Sequence, residues 1–400
     1  MIKNISAFIK LKPVVAVAFL FATSSLLFGT WVAAIPSIKE RLHFTDGSLG
    51  LSLLLSPLGA LTGVFLSTKI FSRVAAGKWM AWGYIFLSML MILQINSVSR
   101  LMFWFCLYCF GMVSFLNGVS TNATVNNLEK KYNRRMMSTC HGMYSLGGGV
   151  SAGLATLFFG LGIQSGWQIV LVALGVSTVI IFNHKHLLAH TTILHTRSGL
   201  KMPSLSILGI SFICMVIFMA EGCVADWSAI YLKESLHGAK EIIGLGYGGF
   251  AIAMTIGRLN GDDIITKYGS KKVVITGALL AALGFIIVVL ASTVIIAIAG
   301  YILIGFGCCC IVPVLFTASA NIPGVSTVEG FAMVTTGGLV GFLTGPSVIG
   351  FISEKINLSS GLALLILLML VAAFTAWQNK FLKTKYIINT EEEPYDEQIY

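Results

Sequence analysis

Apolar windows of about twenty residues recur along almost the whole chain, separated by short breaks rich in charge, glycine or proline. Each window is long enough for one helical crossing of a hydrocarbon core about 30 Å thick. Read between the charge clusters, the pattern predicts twelve helices, at 13–36, 47–68, 79–97, 100–127, 138–162, 166–184, 205–231, 241–265, 271–291, 294–319, 327–353 and 359–379. The first window follows Lys3, Lys10 and Lys12 and closes on "WVAA", the outline of a cleavable signal peptide. With so many windows behind it, an uncleaved first helix is the better reading.

The windows also repeat at half length. "KERLH" (Lys39–His43) follows the first helix and "KESLH" (Lys233–His237) the seventh, an offset of 194 residues. Without a gap, that offset also matches Gly50 with Gly244, Leu51 with Leu245, Gly63 with Gly257, Ile70 with Ile264 and Lys78 with Lys272, nine identities in 40 positions. Gly111 and Gly305 keep the register further on. Such similarity in a twelve-helix chain predicts two six-helix halves related by an axis along the membrane normal. The expected division is 1–184 for the first half, 185–204 for a polar cytoplasmic linker, 205–380 for the second half and 381–400 for a disordered acidic tail. Small residues four apart mark faces for close helix packing: Gly59, Gly63 and Ser67; Ser145, Gly149 and Gly153; Ala253, Gly257 and Gly261.

Composition narrows the class. Of 400 residues, 56% are hydrophobic and 10% charged, with mean hydropathy +0.89, against about 25% charged in soluble domains. Lipid is therefore the expected solvent and contact partner. The net charge of +10 does not call for nucleic acid, because 20 of 26 Lys and Arg fall on the side that holds both termini. The positive-inside rule then puts both termini in the cytoplasm, and the charge reads as topology and contact with anionic lipid. The eight cysteines lie within or at the ends of apolar windows. "CLYC" (106–109) lacks the βαβ context of a redox motif and "CCC" (308–310) has no His or Asp beside it, so both read as apolar packing. The linker histidines His184, His186, His190 and His195 are irregularly spaced without Cys or acids, and neither a metal nor a cofactor is expected.

Charged positions inside helices carry the candidate chemistry. Glu221 lies about ten residues before the outer end of helix 7, where an ionised acid costs about 2.5 to 3.5 kcal/mol. A group whose charged form is that costly is suited to taking up and releasing a proton; a permanent bond to a neighbouring helix is the structural alternative. Asp226 lies nearer the surface, about 140° around the helix, and with Trp227 reads as a helix-end anchor or gate element. Helix 4 places Asn122, Asn126 and Glu129 at i, i+4 and i+7, and helix 5 brings His141 and Tyr144 to the same inner end, beside Arg134 and Arg135. This face suggests the wall of an aqueous cavity, or else a clamp of Glu129 with Arg134 or His141. Asn117, deeper, is placed to hydrogen-bond a solute. Arg258 and Asp262, at i, i+4 near the inner face, read as a charged bracket. With no H-E-x-x-H, no phosphate-binding loop and no soluble domain to host cofactor chemistry, an enzyme is not expected.

The strings "NATVNNLE", "CHGMYSLGGG", "AEGCVADWSAIYL", "GFAIAMTIGRLNGD" and "TTGGLVGFLTGPSVIG" are similar to those of a bacterial inner-membrane branch of the major facilitator superfamily related to the fucose permease. The chain resembles that superfamily over essentially its whole length. The resemblance implies an inner-membrane, multi-pass transporter and supports Asn122, Glu129, His141, Tyr144, Glu221, Asp226, Trp227, Arg258 and Asp262 as recurring polar positions. There are departures from the family pattern. Ser67 stands where the gating motif usually has Asp, helix 1 has no acid in its middle, and Gly345 and Pro346 lie in helix 11 where many drug antiporters carry Gly-Pro in helix 5.

The expectation is a monomeric secondary transporter that moves a small polar, uncharged solute such as a sugar, with protons, by alternating a central site between its halves. Glu221 would couple the proton. Asn117, Asn122, Tyr144 and Trp31 would contact solute, and Asn126, Glu129, His141, Asp226, Trp227, Arg258 and Asp262 would gate or brace. Two alternatives stay open: proton-coupled efflux of an amphiphilic compound, favoured by a cavity lined by Phe28, Trp31 and Phe316 more than by Asn, and a sensor or scaffold that binds without transporting.

Overall fold

The structure, a computed structural model, describes residues 11–132, 136–189, 207–320, 322–323 and 327–383. Among them it is all helix with no strand. The helices are α1 (Lys12–Arg41), α2 (Asp46–Leu53, then Leu55–Phe71), α3 (Ala76–Ile95), α4 (Arg100–Tyr132), α5 (Met137–Gly160) and α6 (Ser165–Leu188). The second set is α7 (Leu208–Ile230, ending in a π turn at Tyr231–Ser235), α8 (Leu245–Leu259, then Gly261–Tyr268), α9 (Ser270–Val289), α10 (Val294–Cys308, then Ile311–Ala320), α11 (Thr327–Lys355) and α12 (Leu358–Gln378).

Each predicted window is one of these twelve. α1, α4 and α7 run past their windows, because hydropathy marks where hydrocarbon ends and a helix continues through its polar last turns. The breaks in α2 and α10 each precede a proline: Pro57 has no N–H to give to the Leu53 carbonyl, and Pro313 none for Cys309. Ten of the helices are long and apolar enough to cross a membrane. The other two are α5, diluted by glycine and hydroxyl residues, and α8, interrupted at Asn260. Phe65, Trp82 and Phe182 are 71%, 71% and 82% exposed, a surface that lipid solvates and water does not. α6 continues to Leu188, so the linker expected from 185 begins as helix; the linker beyond Ala189 and the tail beyond Lys383 lie outside the described residues.

The half-length repeat is also a repeat of contacts. A Cβ on Gly111 of α4 would run into the Ser56 carbonyl of α2, and one on Gly305 of α10 into the Phe250 carbonyl of α8. Both partners are themselves 194 residues apart. Gly63 lies against Phe115, and Gly257 against Cys309, at the same offset. The small-residue faces read from sequence therefore seat α2 on α4 and α8 on α10, while α5 meets α8 across the halves through Gly149 and Ile252. Gly111→Val and Gly305→Val should each lower detergent-extracted yield and melting temperature, at a cost of roughly 1 to 3 kcal/mol or more. Gly153→Ala, whose Cβ would meet nothing within 4 Å, is the neutral control in the same fluorescence melt.

One end of the bundle is held shut between the halves. Lys39 Nζ lies 2.5 Å from Glu234 Oε2 and 2.5 Å from Asp46 Oδ1, and Lys233 Nζ lies 2.6 Å from Glu40 Oε1. The two-fold that maps Lys39 to Lys233 and Glu40 to Glu234 turns one cross-pair into the other, so "KERLH" and "KESLH" are the two sides of a reciprocal clamp. Their backbones agree too: His43 and His237 have φ of 50° and 51° and are the non-glycine residues of positive φ among those described. Ser347 Oγ donates to the Gly50 carbonyl at 2.9 Å, and Ser353 Oγ donates to Asp46, which joins α11 to the start of α2. The first segment of α2 packs along α11, whereas the second segment, beyond Leu54, barely touches it. The halves part there.

Candidate functional site

Between the halves lies a cavity of about 570 Å³. A hollow of about 670 Å³ sits at the clamped end, lined by Glu40, Arg41, Trp167, Lys240 and Glu241, but Arg41 spends its donors on the Ile95 and Ser97 carbonyls there. The central cavity is the site candidate because it holds the charges at membrane depth. Its two walls differ chemically. The first half supplies neutral hydrogen-bonding groups, among them Ser24, Tyr84, Thr121, Asn122, His141 and Tyr144. The second half supplies Glu221, Asp226 and Arg258. Aromatic rings of both, including Phe21, Phe28, Trp31, Phe218, Phe250 and Phe342, fill the space between.

On α7 the lining residues are Phe218, Glu221, Gly222, Ala225 and Asp226, the i, i+3, i+4, i+7, i+8 stripe of one helix face. Glu221 Oε1 lies 3.8 Å from Arg258 Nη2 and has no hydrogen-bond partner. The pair is therefore an ion pair too long for a hydrogen bond, with both side chains partly open to the cavity. This corrects the sequence reading of Arg258 as a bracket with Asp262 at the inner face. Halfway along α8, Arg258 reaches the mid-depth acid of α7; the side chain of Asp262 lies outside the described residues.

Asp226 also faces the cavity, about 7.5 Å further along the axis than Glu221, so it is not a helix-end anchor. Trp227, beside it, points the other way: it is fully buried, with its ring 3.1 Å from where a Cβ on Gly350 of α11 would stand. Its role is packing α7 on α11.

Asn122 donates to the Gly118 carbonyl at 2.8 Å, and its Oδ1 lies 3.1 Å from His141 Nε2, whose ring meets Phe21 edge to face. Tyr144 lines the same wall, and so does Trp31, which stacks on Phe103 at 5.8 Å. Asn117 does not. Its Oδ1 accepts from Trp79 Nε1 at 3.0 Å, its Nδ2 donates to the Gly83 carbonyl at 3.2 Å, and it is 1% exposed, so it joins α4 to α3 and is removed from the solute ligands. Asn126 is exposed, and Glu129 accepts from the Met136 amide at 2.5 Å, holding the α4–α5 turn. The expected partner Arg134 lies outside the described residues, and His141 pairs with Asn122.

Sequence reading missed Tyr247 and the cavity hydroxyls of α1. Gly148 of α5 is the point where they meet: a Cβ there would stand 3.0 Å from Ser25 Oγ of α1 and 3.4 Å from Tyr247 Oη of α8. "GVSAG" at 149–153 has the spacing of a nucleophile elbow. Its Ser151 is inside α5, 1% exposed, and donates to the Gly148 carbonyl at 2.6 Å, so it is a packing residue. Among the described residues no three His, Cys, Asp or Glu gather to hold a metal ion, and Cys309 and Cys310 are spent on each other and on the Phe306 and Gly257 carbonyls.

Comparison with known proteins gives the family. The model of the Major Facilitator Superfamily matches residues 207–389. An uncharacterized MFS-type transporter of Yersinia pestis is 33% identical over 363 residues, covering 89% of this chain and 93% of that protein. Membrane protein MosC of Rhizobium meliloti is 29% identical over 371 residues, covering 90% of this chain and 88% of that protein. In fold, the chain is similar to crystal structures of the nucleoside transporter NupG. A mutant form gives a TM-score of 0.74 at 13% identity over 91% of this chain and 98% of that one, and a second structure gives 0.64. The chain belongs to the major facilitator superfamily and is a multi-pass membrane transporter, not an enzyme.

Proposed function

We propose that the protein is a proton-coupled secondary transporter of the bacterial inner membrane, moving a small polar solute such as a sugar by symport through alternating access. The observation that carries this reading is the Glu221–Arg258 pair on the wall of a cavity clamped shut at one end. Glu221 is ionised while Arg258 faces it; on taking a proton it releases the guanidinium, and the two states of the pair differ in what they offer a solute. The neutral wall of Asn122, Tyr84 and Tyr144 suits hydroxyl groups, and the rings suit the apolar face of a sugar.

The Lys and Arg distribution supports cytoplasmic termini. In that orientation the clamp closes the outer end and the cavity belongs to an inward-facing state. The protein then works as a monomer in lipid. Efflux of an amphiphile is the second reading, favoured by Phe28 and Trp31 in the cavity wall, although Phe316 is not part of it.

A thermal-shift panel of sugars and amphiphiles at two pH values, followed by counterflow of any stabilising compound in proteoliposomes, separates these. Sugars should stabilise the protein and exchange across the membrane. Binding without flux would identify a sensor instead.

A further inference from the structure

The cavity carries a charge that its own residues do not balance. Of the groups that line it, Glu221 and Arg258 face each other, and Asp226 has neither a hydrogen bond nor an ion pair among the described residues. Counting these three charged groups, the acids exceed Arg258 by one, while His141 has its ring nitrogen against Asn122. An unpaired carboxylate at membrane depth is costly, and partners for such groups are the rule.

Which residue of the first half shares the depth of Asp226 can be read from the repeat. The offset of 194 residues makes Trp31 of α1 the counterpart of Ala225 of α7, the residue before Asp226. α1 and α7 pack on each other, so Trp31 and Asp226 share a depth, and both line the cavity. A carboxylate and an indole bordering one space are the two groups that recognise an organic cation, and Trp31, 2% exposed and stacked on Phe103, would offer only the little of its ring left open to the cavity. A neutral solute would leave Asp226 as it is, and an anion would be repelled by it. An inorganic ion would need several oxygen ligands, and no three acids, cysteines or histidines gather among the described residues.

We infer that Asp226 and Trp31 form a subsite for a cationic group, so that the transported solute is a small ammonium-bearing compound and not the uncharged one expected from sequence. This rests on the transporter reading and refines its substrate class.

The test uses matched probes on the purified full-length protein in detergent, with no gradient present: glucosamine against glucose, and phenethylamine against 2-phenylethanol. At least one ammonium member should bind on the order of tenfold more tightly than its neutral partner, read as a saturable melting shift. Asp226→Asn should erase that preference while Asp226→Glu keeps it, and Trp31→Leu should weaken it. If the Asn variant does not fold, the Glu and Leu variants still decide the matter. Equal shifts for every pair, no shift from either ammonium compound, or a preference that survives Asp226→Asn would overturn the assignment. Sodium chloride alone reproducing the ammonium shift would do the same. Because the readout is binding, it stands apart from proton coupling, which fails or holds on flux.

Discussion

Glu221→Gln is expected to abolish proton-driven solute gradients while leaving solute exchange intact. A pH step of one unit is worth about 1.36 kcal/mol per proton, so coupling of one proton to one solute sustains about a tenfold concentration ratio in the wild type. In the variant the ratio should fall to about one, because Gln keeps the shape of the protonated acid and has no proton to exchange. Counterflow at equal pH should persist, since the neutral residue already stands for one state of the cycle. The substitution leaves Arg258 at depth without its carboxylate at 3.8 Å, so a lower melting temperature should accompany it. Reconstitution with an imposed pH gradient decides the question. A Gln variant whose gradient still follows pH would remove Glu221 from the coupling role and leave it a brace for α8.

The clamp yields the other large effect, and it should be unequal between its arms. Lys39 is 10% exposed at its side chain, with Glu234 and Asp46 both at 2.5 Å. Lys39→Gln leaves two carboxylates facing each other with no cation; Glu234 is 38% exposed, so the cost falls below that of a fully buried pair, at about 1.5 to 3 kcal/mol. That corresponds to a shift of roughly ten- to a hundredfold toward the form opened at this end. Lys233 pairs with Glu40, whose side chain is 60% exposed, and such pairs are worth about 1 kcal/mol or less. Lys233→Gln should therefore move the equilibrium only a few-fold.

Leu53, which lines the cavity, supplies the reporter. A cysteine placed there should react with a membrane-impermeant thiol reagent, added from the clamped side, far faster in Lys39→Gln than in the parent. The double exchange of Lys233→Glu with Glu40→Lys should restore the parent rate in its own arm. Equal, small accelerations for both Gln variants would mean that the charges do not hold this end closed.

Both predictions depend on pairings of very different legibility. Glu221 could be singled out from sequence because an acid in the middle of an apolar window has a cost that needs no structure to estimate. Its partner could not. The i, i+4 rule points Arg258 at Asp262 on its own helix, whereas the rotation of α8 against α7 turns the guanidinium to Glu221. Asn117 shows the same limit from the other side. A deep Asn on a polar helix is as well suited to bracing α3 as to binding solute, and only the position of Trp79 and the Gly83 carbonyl decides between them.

By itself the sequence determined the membrane class, the twelve helices and the duplication, because each follows from local hydropathy or from self-similarity. It also marked "KERLH" and "KESLH" as equivalent. That each lysine reaches the glutamate of the other copy is a property of the two-fold arrangement, which no window of the chain contains. The facing of Asp226 into the cavity, and of Trp227 away from it, was likewise settled by how α7 is rolled between α1, α8 and α11. Local pattern sets which residues are costly to bury; tertiary packing decides which neighbour offsets the cost, and at Asp226 it leaves that neighbour to be supplied by the solute.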